Sequence, residues 1–189
     1  MPIFRSRHQA DLLTWLLLHP DQEYTVTDLA KRLHVPLTTL HREAQRLADV
    51  DLIRSRSLGR SRLLQANPAH RATPALTHLL EVTFGPQIVI EDEFADVTDI
   101  ERVLIYGSWA ARYHGAIGAP PADVDVLVIG HPDRADVYEA ADSAQDRLGM
   151  QVNPVIRAPH QWQQSVDALV EQVQSSPTVT VIDRTRNAA

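Results

Sequence analysis

The stretch from Arg102 to Ile129 limits how its half of the chain can fold. Arg102-Val103-Leu104-Ile105-Tyr106 is a short apolar run that enters Gly107-Ser108 with no linker, and Trp109-Ala110-Ala111-Arg112-Tyr113 then reads as helix. Fifteen residues after Ser108, Asp123-Val124-Asp125 opens a second apolar run, Val126-Leu127-Val128-Ile129. Short apolar runs bounded by turn residues read as buried strands. Residues i and i+2 of a strand project to one face, so Asp123 and Asp125 converge while Val124 points the other way. Two carboxylates held side by side call for a counter-charge, and a divalent cation such as Mg²⁺ supplies one. A solvated pair of aspartates at a strand start is the alternative. Gly107 and Ser108, at a strand-to-helix turn, can turn backbone N–H groups and a hydroxyl toward a phosphate, or simply make the turn.

Length and composition leave room for this. The chain has 189 residues, enough for one large domain or two small ones, and its 44% hydrophobic and 22% charged residues are those of a globular protein. It has no cysteine, which removes disulfides, thiolate metal sites and cysteine nucleophiles together. No apolar run approaches the roughly 18 to 20 residues of a membrane span, and Met-Pro-Ile-Phe-Arg-Ser-Arg-His lacks a signal-peptide core, so a soluble cytoplasmic protein with no membrane partner is expected. The net charge of −6 conceals a division. Residues 1–70 carry ten Lys/Arg against seven Asp/Glu, with five histidines besides, whereas residues 71–189 carry eight against seventeen. Such asymmetry points to two modules with different partners.

The basic half is organised as a helix pair and a hairpin. Gln9 to Leu18 is leucine-rich and stops at His19-Pro20. Thr25-Val26-Thr27-Asp28 sets a capping threonine three residues before a carboxylate, and Val26, Leu29, Ala30 and Leu33 then form one helical face. After His34-Val35 and Pro36, the residues Leu37, Leu40, Ala44 and Leu47 form a second apolar stripe. Thr38, Thr39, His41, Arg42 and Gln45 lie off that stripe and can hydrogen-bond to base edges or phosphates. LIRSRSLGRSRLLQAN reads as two strands about Leu58-Gly59; Arg54 and Arg56 share a face, and Arg60 and Arg62 repeat the spacing after the turn. Arginines placed so can follow phosphates or a minor groove. Ordinary helix packing with a solvated arginine face is the alternative.

DLAKRLHVPLTTLHREAQRLADVDLIRSRSLGRSRLLQAN resembles the winged helix-turn-helix of bacterial regulators of the ArsR and MarR kind, over roughly residues 9–67. It departs from them at Pro36, which presets the first helical turn but offers no capping acceptor. The resemblance implies a double-stranded DNA operator as partner. It also implies a homodimer through a helix between Pro68 and Gly85, where Leu76, Leu79, Leu80 and Val82 supply an apolar series. The motifs IYGSWAARYHG and ADVDVLVIG, in turn, resemble the minimal branch of the DNA polymerase beta-like nucleotidyltransferase superfamily, over roughly residues 86–182. That resemblance implies an NTP whose β- and γ-phosphates meet Gly107 and Ser108, with two metals on Asp123 and Asp125. Members carry a third carboxylate on the following strand. Here the matching position is Asn153, whose amide oxygen can coordinate a hard cation but which cannot accept a proton.

Past these motifs, Arg134–Leu148 reads as helix, Gln151–Ile156 as strand, His160–Gln174 as helix and Thr178–Ile182 as strand. His114 is expected at an exposed helix end, Trp162 in the core, and the insertion from Arg112 to Ala122 as a lid or a partial block of the pocket. The sequence thus predicts an α+β chain: a winged helix-turn-helix domain with a possible dimerisation helix over 1–85, then a small nucleotidyltransferase-fold α/β domain over 86–189. A transcription regulator whose second domain binds NTP and Mg²⁺ is the first reading. The alternatives are an active transferase of NMP to a protein or RNA, of the toxin–antitoxin type with a protein partner encoded nearby, and a catalytically dead scaffold.

Overall fold

Short polar side chains start the first helices. In the computed structural model, which describes residues 4–165 and 167–185, Ser6 Oγ accepts from the Gln9 N–H at 3.2 Å and begins α1 (Arg7–Leu18). After β1 (Tyr24–Thr25), Thr25 Oγ1 accepts from the Asp28 N–H at 3.0 Å and donates to Asp28 Oδ2 at 2.7 Å, starting α2 (Val26–Arg32). His34, at φ 51°, turns the chain into α3 (Leu37–Asp49), whose capping residue Pro36 supplies no side-chain acceptor. The hairpin of β2 (Ile53–Leu58) and β3 (Ser61–Ala66) turns at Gly59, and with β1 it makes an antiparallel sheet in the order β1-β3-β2. α4 (Thr73–Phe84) follows. Leu12, Leu16, Leu29, Leu40, Leu64 and Leu80 close one core, so α1, α2, α3, β3 and α4 are locked together. This is a winged helix-turn-helix, with α3 in the recognition position and β2-β3 as the wing.

The stripe on α3 differs from the one read in the sequence. Leu37 is 43% exposed, and Val35, 4% exposed, occupies the core at that end of the helix pair. The buried face is Leu40, Glu43, Ala44 and Leu47, so it includes a carboxylate that is almost fully covered.

The chain divides into two compact units, Met1–Thr83 and Phe84–Ala189. The second opens with α5 (Pro86–Phe94), which has proline in its first turn and buries Val89, Ile90 and Phe94. Then come β4 (Ile100–Tyr106), α6 (Gly107–Tyr113), β5 (Asp123–Gly130), α7 (Arg134–Leu148), β6 (Gln151–Arg157), α8 (Pro159–Gln164), α9 (Ala168–Ser175) and β7 (Val179–Asp183). The sheet runs β6-β5-β4-β7; β5 and β6 are parallel, joined by α7, and the other pairs are antiparallel. Val124, Val126 and Val128 face a core with Ile90, Phe94, Val137 and Ala144. Leu104, Tyr106, Leu127 and Ile129 face a second cluster with Val173, against which the half-buried Trp162 packs. The single helix expected from His160 to Gln174 is two. Ser165 takes φ 50°, and the Asp167 carboxylate starts the next helix by accepting from the Val170 N–H at 3.0 Å. No described helix is long and apolar enough to cross a membrane.

Candidate functional site

On α3, Thr38, His41, Arg42 and Gln45 are exposed and Thr39 is half-buried. Gln45 Nε2 donates to Asp49 Oδ1 at 2.6 Å, one turn along. Arg46 is drawn to the edge of the buried face, where Nη1 donates to Glu43 Oε1 at 2.9 Å. Arg42 forms no ion pair among the described residues. The helix therefore presents an edge of donors with one unneutralised guanidinium, while its other edge is fixed to the core.

The wing sorts its arginines more finely than their spacing shows. Arg54 and Arg56 share a face of β2, but Arg62 lies opposite Ser57 in the register and so faces the other side; Arg60 belongs to the turn rather than to a strand. Arg54 Nε donates to Asn67 Oδ1 at 3.0 Å and Arg62 Nε to Ser55 Oγ at 2.6 Å, both neutral acceptors. Arg56 differs. Its Nε donates to Glu23 Oε1 at 2.6 Å and its Nη2 to Glu23 Oε2, a bidentate ion pair. The hydrogen bonds from Arg56 hold the Glu23 carboxyl below its ordinary range, and the same bonds push the guanidinium up. The acid lies 33 positions away in sequence, and no local pattern announces the pair.

In the second unit, Asp123 and Asp125 are half-buried at the first turn-ward end of β5, on the face that also carries Leu127 and Ile129. Parallel pairing with β6 sets Asn153 opposite Asp125. Its Nδ2 donates to Asp123 Oδ2 at 3.1 Å and to Asp125 Oδ1 at 3.3 Å, bridging the two carboxylates. Burial raises the Asp125 carboxyl above its ordinary range, the Asn153 hydrogen bond pulls it back, and the Asp123 charge adds to the rise. On the other side, Gly107 sits at φ +75°, and a Cβ there would lie 2.6 Å from Asp125 Oδ2. Only a glycine leaves space for that carboxylate while taking this backbone conformation. Ser108 next to it is exposed.

Tyr106, which the sequence reading passed over as core, pairs with Asp125 across β4 and β5. Burial first, then the Asp125 charge, raises its phenol, with Arg157 opposing and Asp123 adding a smaller rise. Its place immediately before Gly107 was the available signal. Among the described residues no group of three or more His, Cys, Asp or Glu side chains is arranged to hold a metal. The donors here are two carboxylates and one amide. The Arg112–Ala122 insertion folds back on its own helix: the Arg112 guanidinium donates to the carbonyls of Gly118 and Ala119. His114 is exposed as expected, with Nε2 3.0 Å from the Thr178 carbonyl oxygen.

No protein-family model matches the chain, and no curated protein matches it in sequence. The solved structures similar to parts of it include these two. Reduced HlyU from Vibrio cholerae N16961 is 20% identical, with a TM-score of 0.36, over 42% of this chain and 78% of its own. A protein from Sulfolobus solfataricus described as a candidate nucleotidyltransferase is 12% identical, with a TM-score of 0.37, over 64% of this chain and 96% of its own. The functional reading therefore stands on the geometry of the two units themselves.

Proposed function

We propose that the chain is a DNA-binding regulator in which a winged helix-turn-helix is joined to a nucleotidyltransferase-like unit that binds a nucleoside triphosphate with Mg²⁺. The observation that carries the DNA reading is the division of α3 into a locked edge and an exposed edge of Thr38, His41, Arg42 and Gln45. A helix entering a major groove needs both, because base contacts carry sequence information only when the backbone behind them is fixed. Thr39 and the wing residues Arg54, Arg56, Arg60 and Arg62 complete the proposed contact set. A homodimer on the operator would set two α3 helices one turn of duplex apart. Val50, Leu52, Leu76 and Leu79 line an open apolar hollow of about 420 Å³ on this unit, which a second copy would cover.

Arg42→Ala is expected to weaken binding to a selected operator by roughly tenfold or more, as losing one base-edge or phosphate guanidinium does. Titrations at several salt concentrations measure it, and the wild-type affinity should fall steeply as salt rises because phosphate contacts release counterions. Binding that ignores both salt and Arg42 would count against the DNA reading.

For the second unit, the fit to a cation rests on the Asn153 amide lying between the two carboxylates. An amide presents nitrogen and oxygen on nearly the same outline, so a turn about its terminal torsion replaces Nδ2 by Oδ1. Asp123, Asp125 and Asn153 Oδ1 would then hold one hard cation, and Gly107 and Ser108 stand beside it for phosphates. Such an ion neutralises part of a triphosphate's charge. Asn153 favours binding over transfer, since an amide cannot take a proton from an acceptor hydroxyl. Titrating ATP or GTP calorimetrically with and without Mg²⁺ tests this. Heat that depends on Mg²⁺ and vanishes in the Asp123→Ala/Asp125→Ala double variant is the expected result; identical traces for that variant and wild type overturn it.

A further inference from the structure

The four wing arginines look equivalent in sequence, and their partners make them unequal. Arg54 and Arg62 are oriented by an amide and a hydroxyl, which fix the Nε end of each guanidinium and leave its charge intact. Arg60, in the turn, is exposed. Arg56 alone has the Nε–Nη2 edge of its fork filled by a carboxylate. A phosphate would take that same edge in a bidentate contact. Glu23 immediately precedes β1, and Thr25 and Arg56 both pair with Leu63 of the middle strand, so the sheet sets the strand that Glu23 leads into and the strand that carries Arg56 on opposite sides of β3. The Arg56 side chain is 55% exposed and that of Glu23 34%, so water reaches the pair and its partners can exchange.

We infer that Glu23 is a built-in competitor for the DNA phosphate that Arg56 would contact, so that full seating of the wing exchanges this carboxylate for a phosphate. The inference rests on the DNA-binding reading above. On it, the wing offers three usable charges before the exchange and four after it. Glu23 thereby holds down affinity for any duplex, since a phosphate contact carries no sequence information, and leaves discrimination to α3.

The test uses the full chain, its selected operator and a duplex of random sequence, with titrations over a range of salt. Glu23→Gln should tighten binding to both duplexes by about threefold to tenfold and steepen the log–log salt slope by up to about 0.9, because Arg56 then takes its phosphate without freeing a carboxylate that must itself be neutralised. Arg56→Ala alone should weaken binding by only about threefold, less than Arg42→Ala does, because the phosphate it loses in the seated complex had first to displace a carboxylate. The double variant Glu23→Gln/Arg56→Ala should lose the gain. Three outcomes overturn the inference. If Glu23→Gln binds as wild type does while Arg42→Ala still weakens binding, Glu23 is no competitor and the DNA reading stands. If the double variant keeps the gain, Glu23 acts by general repulsion and not through Arg56. If neither wild type nor Glu23→Gln binds duplex DNA, the DNA reading falls and the inference with it.

Discussion

Asn153→Asp is expected to destabilise the metal-free second unit by about 2 to 3 kcal/mol and to make its stability depend on divalent cation. The amide now donates to both carboxylates, at 3.1 and 3.3 Å. Hydrogen bonds to charged groups contribute roughly 1.5 to 3 kcal/mol each where they are shielded from water, and the half-exposure of this site puts the pair at the low end. Replacing the donor by a carboxylate removes both bonds and sets a third negative charge beside two others. Urea unfolding in EDTA and in millimolar MgCl₂ measures the effect: the variant should fall below wild type in EDTA and regain most of the loss with Mg²⁺, which binds the folded site alone. Equal stability of the two proteins in EDTA would show that the bridge contributes nothing.

The pH dependence has a defined sign. Asp125 titrates above its ordinary value of 3.8 in the fold, so its contribution favours the folded state below that value and is lost as pH rises through the folded one. A third carboxylate raises Asp125 further and extends the loss to higher pH. The gap between variant and wild type in EDTA should therefore be small in acid and widen toward neutrality.

The second large effect is expected from Gly107→Ala. Alanine at φ +75° sustains about 1 to 2 kcal/mol of left-handed strain. Its Cβ, 2.6 Å from Asp125 Oδ2, forces the carboxyl to turn and weakens the bond from Asn153, worth about 1 kcal/mol more. A loss of about 2 to 3 kcal/mol follows, and side-chain amide resonances of Asn153 should shift with it. An alanine variant as stable as wild type, with those resonances unmoved, would mean that this close approach places no demand on Asp125.

Much of this was legible where a local rule decides. Thr25 with Asp28 marked the start of α2, Leu58-Gly59 marked the wing turn, and α7 occupies the span its sequence predicts because Asp133 opens it and Gly149, in the left-handed conformation, closes it. The alternation Asp123-Val124-Asp125 correctly put two carboxylates on one face. What escaped was non-local or too short to show a period. α5 has nine residues, and its buried Gln87 and exposed Ile88 blur the apolar face in sequence. The break at Ser165 depends on a cap at Asp167 that competes with helix continuation. Glu43 is a charged residue that falls on the buried face of its helix, and Arg56 is paired with an acid from outside the hairpin. At the acidic site the sequence supplied the positions of Asn153 and the aspartates, whereas the bridging amide required the parallel register of β5 and β6.

That register also sets an order in time. The aspartates lead β5, their amide partner lies beyond the 15-residue helix α7, and Gly107 belongs to the turn before both. A growing chain has synthesised every residue of the winged helix-turn-helix by Thr83, but it has no assembled acidic site until Asn153 has emerged and β6 has added to the sheet. Domains fold as units from the N-terminus during translation. Each nascent molecule thus passes through an interval in which its winged helix-turn-helix is complete and its acidic site is not.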